Sequence, residues 1–152
     1  MLTQHYFAAV SKTNSNMYKH EYKVIVRYAE TDQMGFVYYG NYAKFYEIGR
    51  VELIRSLGLS YKEFEDRLNI FLPVVQLESR YLLPARYDDE LRIESILDEL
   101  PDKMISFRHL IYNPQNFLIN RGVVKLLFID KMTGRKVSAP QEMTDLLKQH
   151  FE

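Results

Sequence analysis

The segment from Tyr42 to Leu57 constrains the fold more than any other. Tyr42, Phe45, Tyr46, Gly49, Leu53 and Leu57 recur at helical spacing, while Lys44, Glu47, Val51 and Arg55 mark a mostly polar opposite face. Asn41 stands where an N-cap is wanted, and Gly58 where a left-handed C-cap is. This is the one long, well-punctuated helix that the pattern predicts. Gly49 in its middle costs up to about 1 kcal/mol relative to Ala. Because it lies on the apolar stripe, it predicts close approach of the helix to a sheet.

The rest of the chain reads as strand. Residues Tyr22 to Tyr28 alternate before the helix, and Phe71 to Leu83, Glu90 to Leu97, Met104 to Tyr112 and Phe117 to Asp130 follow it. Turn chemistry separates the last four: Pro84 to Asp89, Asp98 to Lys103, and Asn113 to Asn116. Such short connections predict antiparallel neighbours. The run Val123 to Ile129 is apolar on both faces apart from Lys125 and predicts a strand inside the sheet. Ser60 to Leu68 predicts one or two further helical turns, with Ser60 capping, and Pro140 to Phe151 a short closing helix. The order implies an α+β arrangement, a five-stranded antiparallel sheet wrapped around one central helix. One helix covers only one face of such a sheet, so dimerisation is expected. Residues 1 to 20 read as an N-terminal arm and 21 to 152 as a single domain.

Composition narrows the function classes. Lys plus Arg equals Asp plus Glu in the 152 residues, so the basic excess of a nucleic-acid binder is missing. There is no cysteine, which excludes disulfides, thiolate metal sites and Cys nucleophiles. No apolar run approaches the roughly 20 residues of a membrane span, and Met1 to Val10 makes a poor signal peptide, so a cytoplasmic protein is expected. No Gly-x-Ser-x-Gly elbow, phosphate loop or dinucleotide fingerprint is present, and the four His show no ligand spacing, so no metal and no cofactor is expected. His109, alternating with Ile105, Phe107 and Ile111, reads as structural.

The loop Arg27 to Tyr42 carries the chemistry. It sets a carboxylate, Asp32, in a glycine-containing loop just ahead of the helix. A helix start offers unpaired N–H groups and a partial positive charge, which suit a carbonyl oxygen gaining negative charge. A nearby Asp can activate water or attack directly. A thioester fits this equipment because its thiol, with a pKa of about 8.5, leaves without a strong general acid. Taken alone, Asp32 reads equally as a turn or capping residue.

The stretch Asp32, Gly35, Val37, Tyr38, Asn41, Tyr42, Phe45 or Tyr46, Glu47 and Arg50 resembles the signature of the 4-hydroxybenzoyl-CoA thioesterase family of hot-dog proteins, which includes the acyl-CoA thioesterases associated with the Tol–Pal system. Pro84 to Leu91 resembles that family's turn between its second and third strands, and the resemblance covers about residues 20 to 140. It implies a hot-dog fold and hydrolysis of an acyl-CoA or acyl-carrier-protein thioester, with CoA entering only as part of the substrate. Asp32 matches the family's catalytic carboxylate, and Tyr39 the position whose backbone N–H polarises the thioester carbonyl. Gly35, Val37, Tyr38, Asn41 and Lys103 are the implied substrate-binding positions, Lys103 through the CoA phosphates; Arg86, Arg135 and Lys136 are weaker candidates for the same anions. Glu47 and Arg50 read as structural. The resemblance also implies a homodimer or homotetramer with the active site between subunits. The alternative is a non-catalytic hot-dog module that binds acyl thioesters.

Overall fold

The computed structural model describes residues 16–151; the arm expected over residues 1 to 20 lies outside them up to residue 15. Strand β1 (Tyr18–Ile25) is followed by a single 3-10 turn (Tyr28–Glu30), helix α1 (Asn41–Ser56) and the shorter α2 (Tyr61–Asp66). Then come β2 (Ile70–Phe71), β3 (Val74–Tyr81), β4 (Glu90–Leu97), β5 (Met104–Tyr112), β6 (Leu118–Leu127), β7 (Ile129–Asp130) and α3 (Gln141–Lys148). None of these helices is long and apolar enough to cross a membrane.

Five strands form one antiparallel sheet in the order β1-β4-β5-β6-β3, and β2 pairs with β7 apart from it. Helix α1 packs on β1, β4 and β5. This is the hot-dog arrangement, and its core lies between the helix and one sheet face. Phe45, Tyr46 and Leu53 from α1 are buried in the same cluster as Leu91, Ile93, Phe107 and Ile111 from the strands. Each such side chain contributes about 1.5–3 kcal/mol of burial before entropy is charged against it.

Two glycines fix how close the layers come. A Cβ on Gly49 would lie 2.4 Å from Ser95 Oγ and 2.8 Å from Ile93 Cγ2; one on Gly122 of β6 would lie 2.4 Å from Tyr46 Cζ. The glycine in mid-helix is therefore the contact point with the sheet. Gly58, with φ +85°, ends α1 in the left-handed conformation that its position predicts. Ser60 caps α2 by accepting from Glu63 N–H at 3.2 Å.

Several expectations are corrected. β1 begins at Tyr18, four residues before the alternation becomes legible, and ends at Ile25, three residues ahead of the 3-10 turn at Tyr28. The run from Phe71 breaks at Leu72-Pro73 into β2 and β3, because proline cannot continue a ladder. Asn41 is not the N-cap: Gly40 holds that position, and Asn41 is the first helical residue. Most consequentially, β3 and β4 are not neighbours. Residues 82–89 carry the chain from the β3 edge to β4, beside β1. Three inter-strand spacings of about 4.8 Å make roughly 14 Å, within reach of eight residues.

Candidate active site

That crossover meets the loop before α1. Val37 N–H donates to Ala85 O at 2.8 Å, and Phe36 forms a β-bridge with Arg86, whose guanidinium lies 4.9 Å from the Phe36 ring. Val37 is buried, so the loop is nailed to the crossover at its middle. Its upstream end is held by Glu30. The backbone O of Glu30 accepts from Tyr38 N–H at 2.9 Å and from Asn41 Nδ2 at 2.8 Å. The buried Glu30 carboxylate accepts from Arg27 N–H at 2.6 Å and pairs with Lys44 of α1. Asn41 thus ties the start of α1 to the loop rather than capping the helix.

Within this frame Asp32 is folded into its own turn. Asp32 Oδ1 accepts from Met34 N–H at 2.9 Å and from Phe36 N–H at 3.2 Å, while Gly35 N–H donates to Asp32 O at 3.0 Å. Gly35, with φ +80°, supplies the left-handed residue that this tight loop needs. Asp32 Oδ2 has no hydrogen-bond partner among the described residues, and the side chain is half-buried. Both readings of Asp32 are therefore present in one residue: one oxygen builds the turn and the other is left over.

The helix start offers the donors. Asn41 N–H donates to Tyr38 O and Tyr42 N–H to Tyr39 O, whereas the backbone N–H groups of Tyr39 and Gly40 donate to no acceptor among the described residues. Aromatic rings surround them. Tyr38 lies 4.7 Å from Tyr39, and Tyr81, at the end of β3, meets Tyr39 edge-on at 6.3 Å and Tyr42 at 5.4 Å. Burial pushes the Tyr42 hydroxyl up to about 12, so it stays protonated near neutral pH.

The structure thus brings Asp32, Gly35, Val37, Tyr38, Tyr39 and Asn41 together on one short hairpin. It does not bring Lys103 there. Lys103 precedes β5, whereas the loop sits by Ala85 and Arg86, near the start of β4, which pairs with the far end of β5. Nine residues of strand, about 27 Å, separate them. Arg50 is structural: its Nε donates to Tyr61 OH at 3.1 Å and joins α1 to α2. Glu30 and Tyr81 are absent from the motif reading. A Glu whose basic partner, Lys44, lies 14 positions on leaves no sequence signal, and Tyr81 lies 39 positions from Tyr42.

A family model described as the thioesterase-like superfamily matches residues 26–147. The chain belongs to that superfamily. Among the relatives of this hot-dog thioesterase, YneP of Bacillus subtilis (strain 168), provisionally named an acyl-CoA thioesterase, is 30% identical over 123 residues, covering 81% of this chain and 88% of that one. The acyl-CoA thioester hydrolase YbgC of Escherichia coli O157:H7 is 29% identical over 126 residues, covering 83% and 93%. The solved DHNA-CoA thioesterase of Staphylococcus aureus superposes with a TM-score of 0.81 at 25% identity, covering 86% and 89%. The resemblance read from two separated motifs therefore holds at the level of family and fold for this thioesterase-superfamily member.

His109 is structural, as its strand position predicts. It is fully buried, stacks on Tyr46 at 4.9 Å and shares a hydrogen bond of 2.9 Å with Ser95 through Nδ1. Burial, with Arg50 second, pushes its pKa down to about 3, so the ring is neutral.

Proposed function

We propose that this chain hydrolyses acyl-CoA thioesters to a free acid and CoA, with Asp32 as general base or nucleophile and the helix start at Tyr39 as the oxyanion site. One observation carries the reading: a carboxylate with one oxygen pinned and one spare lies on the same short hairpin as two undonated backbone N–H groups. A fixed donor pair costs no reorganisation as negative charge develops on the carbonyl oxygen. Asp32 Oδ2 either takes a proton from an attacking water or adds to the carbonyl carbon itself. In both cases the tetrahedral intermediate expels the CoA thiolate. In the second, water then cleaves the resulting anhydride. Carrier-protein pantetheine presents the same thioester, and Gly35, Val37, Tyr38 and Asn41 shape the loop that receives it.

The working form in this reading is a homodimer or a pair of dimers. β3 is an edge strand whose Val74, Val75, Leu77 and Tyr81 are exposed, and such an edge invites pairing with a second copy. Lys103 then serves a CoA whose acyl end lies in the partner's cleft. The compartment we assign is the cytoplasm.

The test is thiol release from a panel of aliphatic and aromatic acyl-CoAs and an acyl-carrier protein, with Asp32→Asn alongside. Activity on at least one substrate is expected, with a loss of at least about 100-fold in the variant. An undiminished Asp32→Asn removes Asp32 from the mechanism. A wholly inactive panel that still binds acyl-CoA makes the protein a binding module.

A further inference from the structure

The outer face of the sheet, away from α1, divides into two halves of different character. Over β1 and β4 its charges alternate and pair: Lys19 with Glu21 and Glu94, Lys23 with Glu90, Arg92 with Glu21 and Glu94. Over β3 and β6 they do not. Arg80 of β3 stands directly opposite Arg121 of β6. Both point away from the helix: the neighbouring Ser79 bonds Tyr46 on the helix side, and Gly122 backs onto the Tyr46 ring. Like charges directly opposite in a ladder are destabilising. Neither guanidinium has an ion-pair partner among the described residues, and Lys125, four residues on along the same face of β6, has none either. Glu78, on the same face of β3 as Arg80, accepts from Gln76 Nε2 at 2.8 Å. Arg108 of β5 is held by a two-pronged contact with Asp98, at 2.9 Å for each bond.

Arg80, Arg108 and Arg121 line one groove of about 500 Å³ with Glu78, Leu110 and Val123. That volume falls within the roughly 300–1,000 Å³ typical of small-molecule sites. Two guanidinium forks on directly opposed residues suit two adjacent phosphoryl groups, since arginine binds phosphate oxygens in pairs. We propose that this groove is a binding site for a pyrophosphate-bearing small molecule, separate from the thioester cleft, with Arg80 and Arg121 as its two anion clamps. The unpaired cross-strand arginines are then the cost of an empty site and are neutralised on binding. The proposal stands on charge and register and does not depend on the hydrolase reading.

The test is calorimetric titration of the full chain in phosphate-free buffer with inorganic pyrophosphate, ADP, CoA and orthophosphate, using Arg80→Gln, Arg121→Gln and, as an outer-face charge control, Lys23→Gln. Pyrophosphate and at least one of the two nucleotide ligands should bind, orthophosphate at least about tenfold more weakly. Either arginine variant should lose at least about tenfold in affinity while Lys23→Gln loses none. Free pyrophosphate alone binding, without ADP or CoA, would overturn the assignment to a pyrophosphate-bearing ligand. Absent anion, Arg80→Gln should melt no lower than wild type, and saturating pyrophosphate should raise the wild-type Tm by at least about 2 °C. No pyrophosphate binding, an equal loss in Lys23→Gln, or a lower Tm for anion-free Arg80→Gln would each overturn the proposal. A raised KM for acyl-CoA in either arginine variant would make the groove part of the substrate site and overturn its separateness.

Discussion

Gly49→Ala tests the packing that sets the helix against the sheet. In an exposed helix this change stabilises by up to about 1 kcal/mol, because alanine restricts the unfolded chain and favours the helix. Here the new methyl would arrive 2.4 Å from Ser95 Oγ, 2.8 Å from Ile93 Cγ2 and 3.5 Å from His109 Nδ1. Ile93 is fully buried in β4, a central strand, and cannot give way without shifting the ladder. Ser95 can rotate, but its hydroxyl is committed to His109 at 2.9 Å, and an orphaned buried polar group costs about 1–3 kcal/mol. Overpacking a close-packed contact adds about 1–3 kcal/mol. Against a helix gain of about 1 kcal/mol, the net is a loss of roughly 1–5 kcal/mol. At about 2–4 °C per kcal/mol for a chain of this size, Tm should fall by at least about 2 °C. The assay is thermal melting of both proteins at matched concentration, which keeps any association equilibrium fixed. A variant that melts at or above wild type would refute the argument that Gly49 is held by the sheet.

Three further outcomes follow from the geometry. Asp32→Asn keeps an Oδ1 acceptor for Met34 and Phe36 N–H, so it should melt within about 2 °C of wild type, while Asp32→Ala loses both bonds at about 0.5–1.5 kcal/mol each and should melt several degrees lower; equal melting of the two variants would show that the turn does not depend on Oδ1. His109 is neutral in the fold with a pKa near 3 and takes a proton near pH 6.5 when unfolded. Between those values the unfolded state binds the extra proton, so stability falls as pH falls, by at most about 1.4 kcal/mol per unit. His109→Gln should flatten that slope in urea titrations at pH 7, 6 and 5, and unchanged slopes would contradict the assignment. Leu77→Lys, which places a charge on the exposed edge strand β3, should shift sedimentation toward monomer, and an unaltered oligomer would rule out pairing along that edge.

Helical spacing from Tyr42 to Leu57, the Gly58 stop, the Ser60 cap and the limits of β4 and β5 were all legible in the sequence, because each depends on neighbours within a few residues. The family was legible for the same reason: its signature occupies one continuous loop and helix. Gly49 announced a close approach but not its partners, Ser95 and Ile93, which lie more than 40 residues away. Strand order was not legible. Burial of the helix and the reach of residues 82–89 decide that β3 goes to the far edge while β4 joins β1, and local turn chemistry cannot count strands. Everything that follows from that order belongs to the tertiary structure. It puts Ala85 under the Asp32 loop, Tyr81 against the helix start and Lys103 at the opposite end. It also sets Arg80 against Arg121, two residues 41 positions apart that only a ladder register makes neighbours. The sequence determined that Asp32 precedes a helix. The fold decided where that carboxylate sits: Oδ1 accepts from Met34 and Phe36 N–H within its turn, and the crossover, arriving only because of the strand order, holds the same loop at Val37.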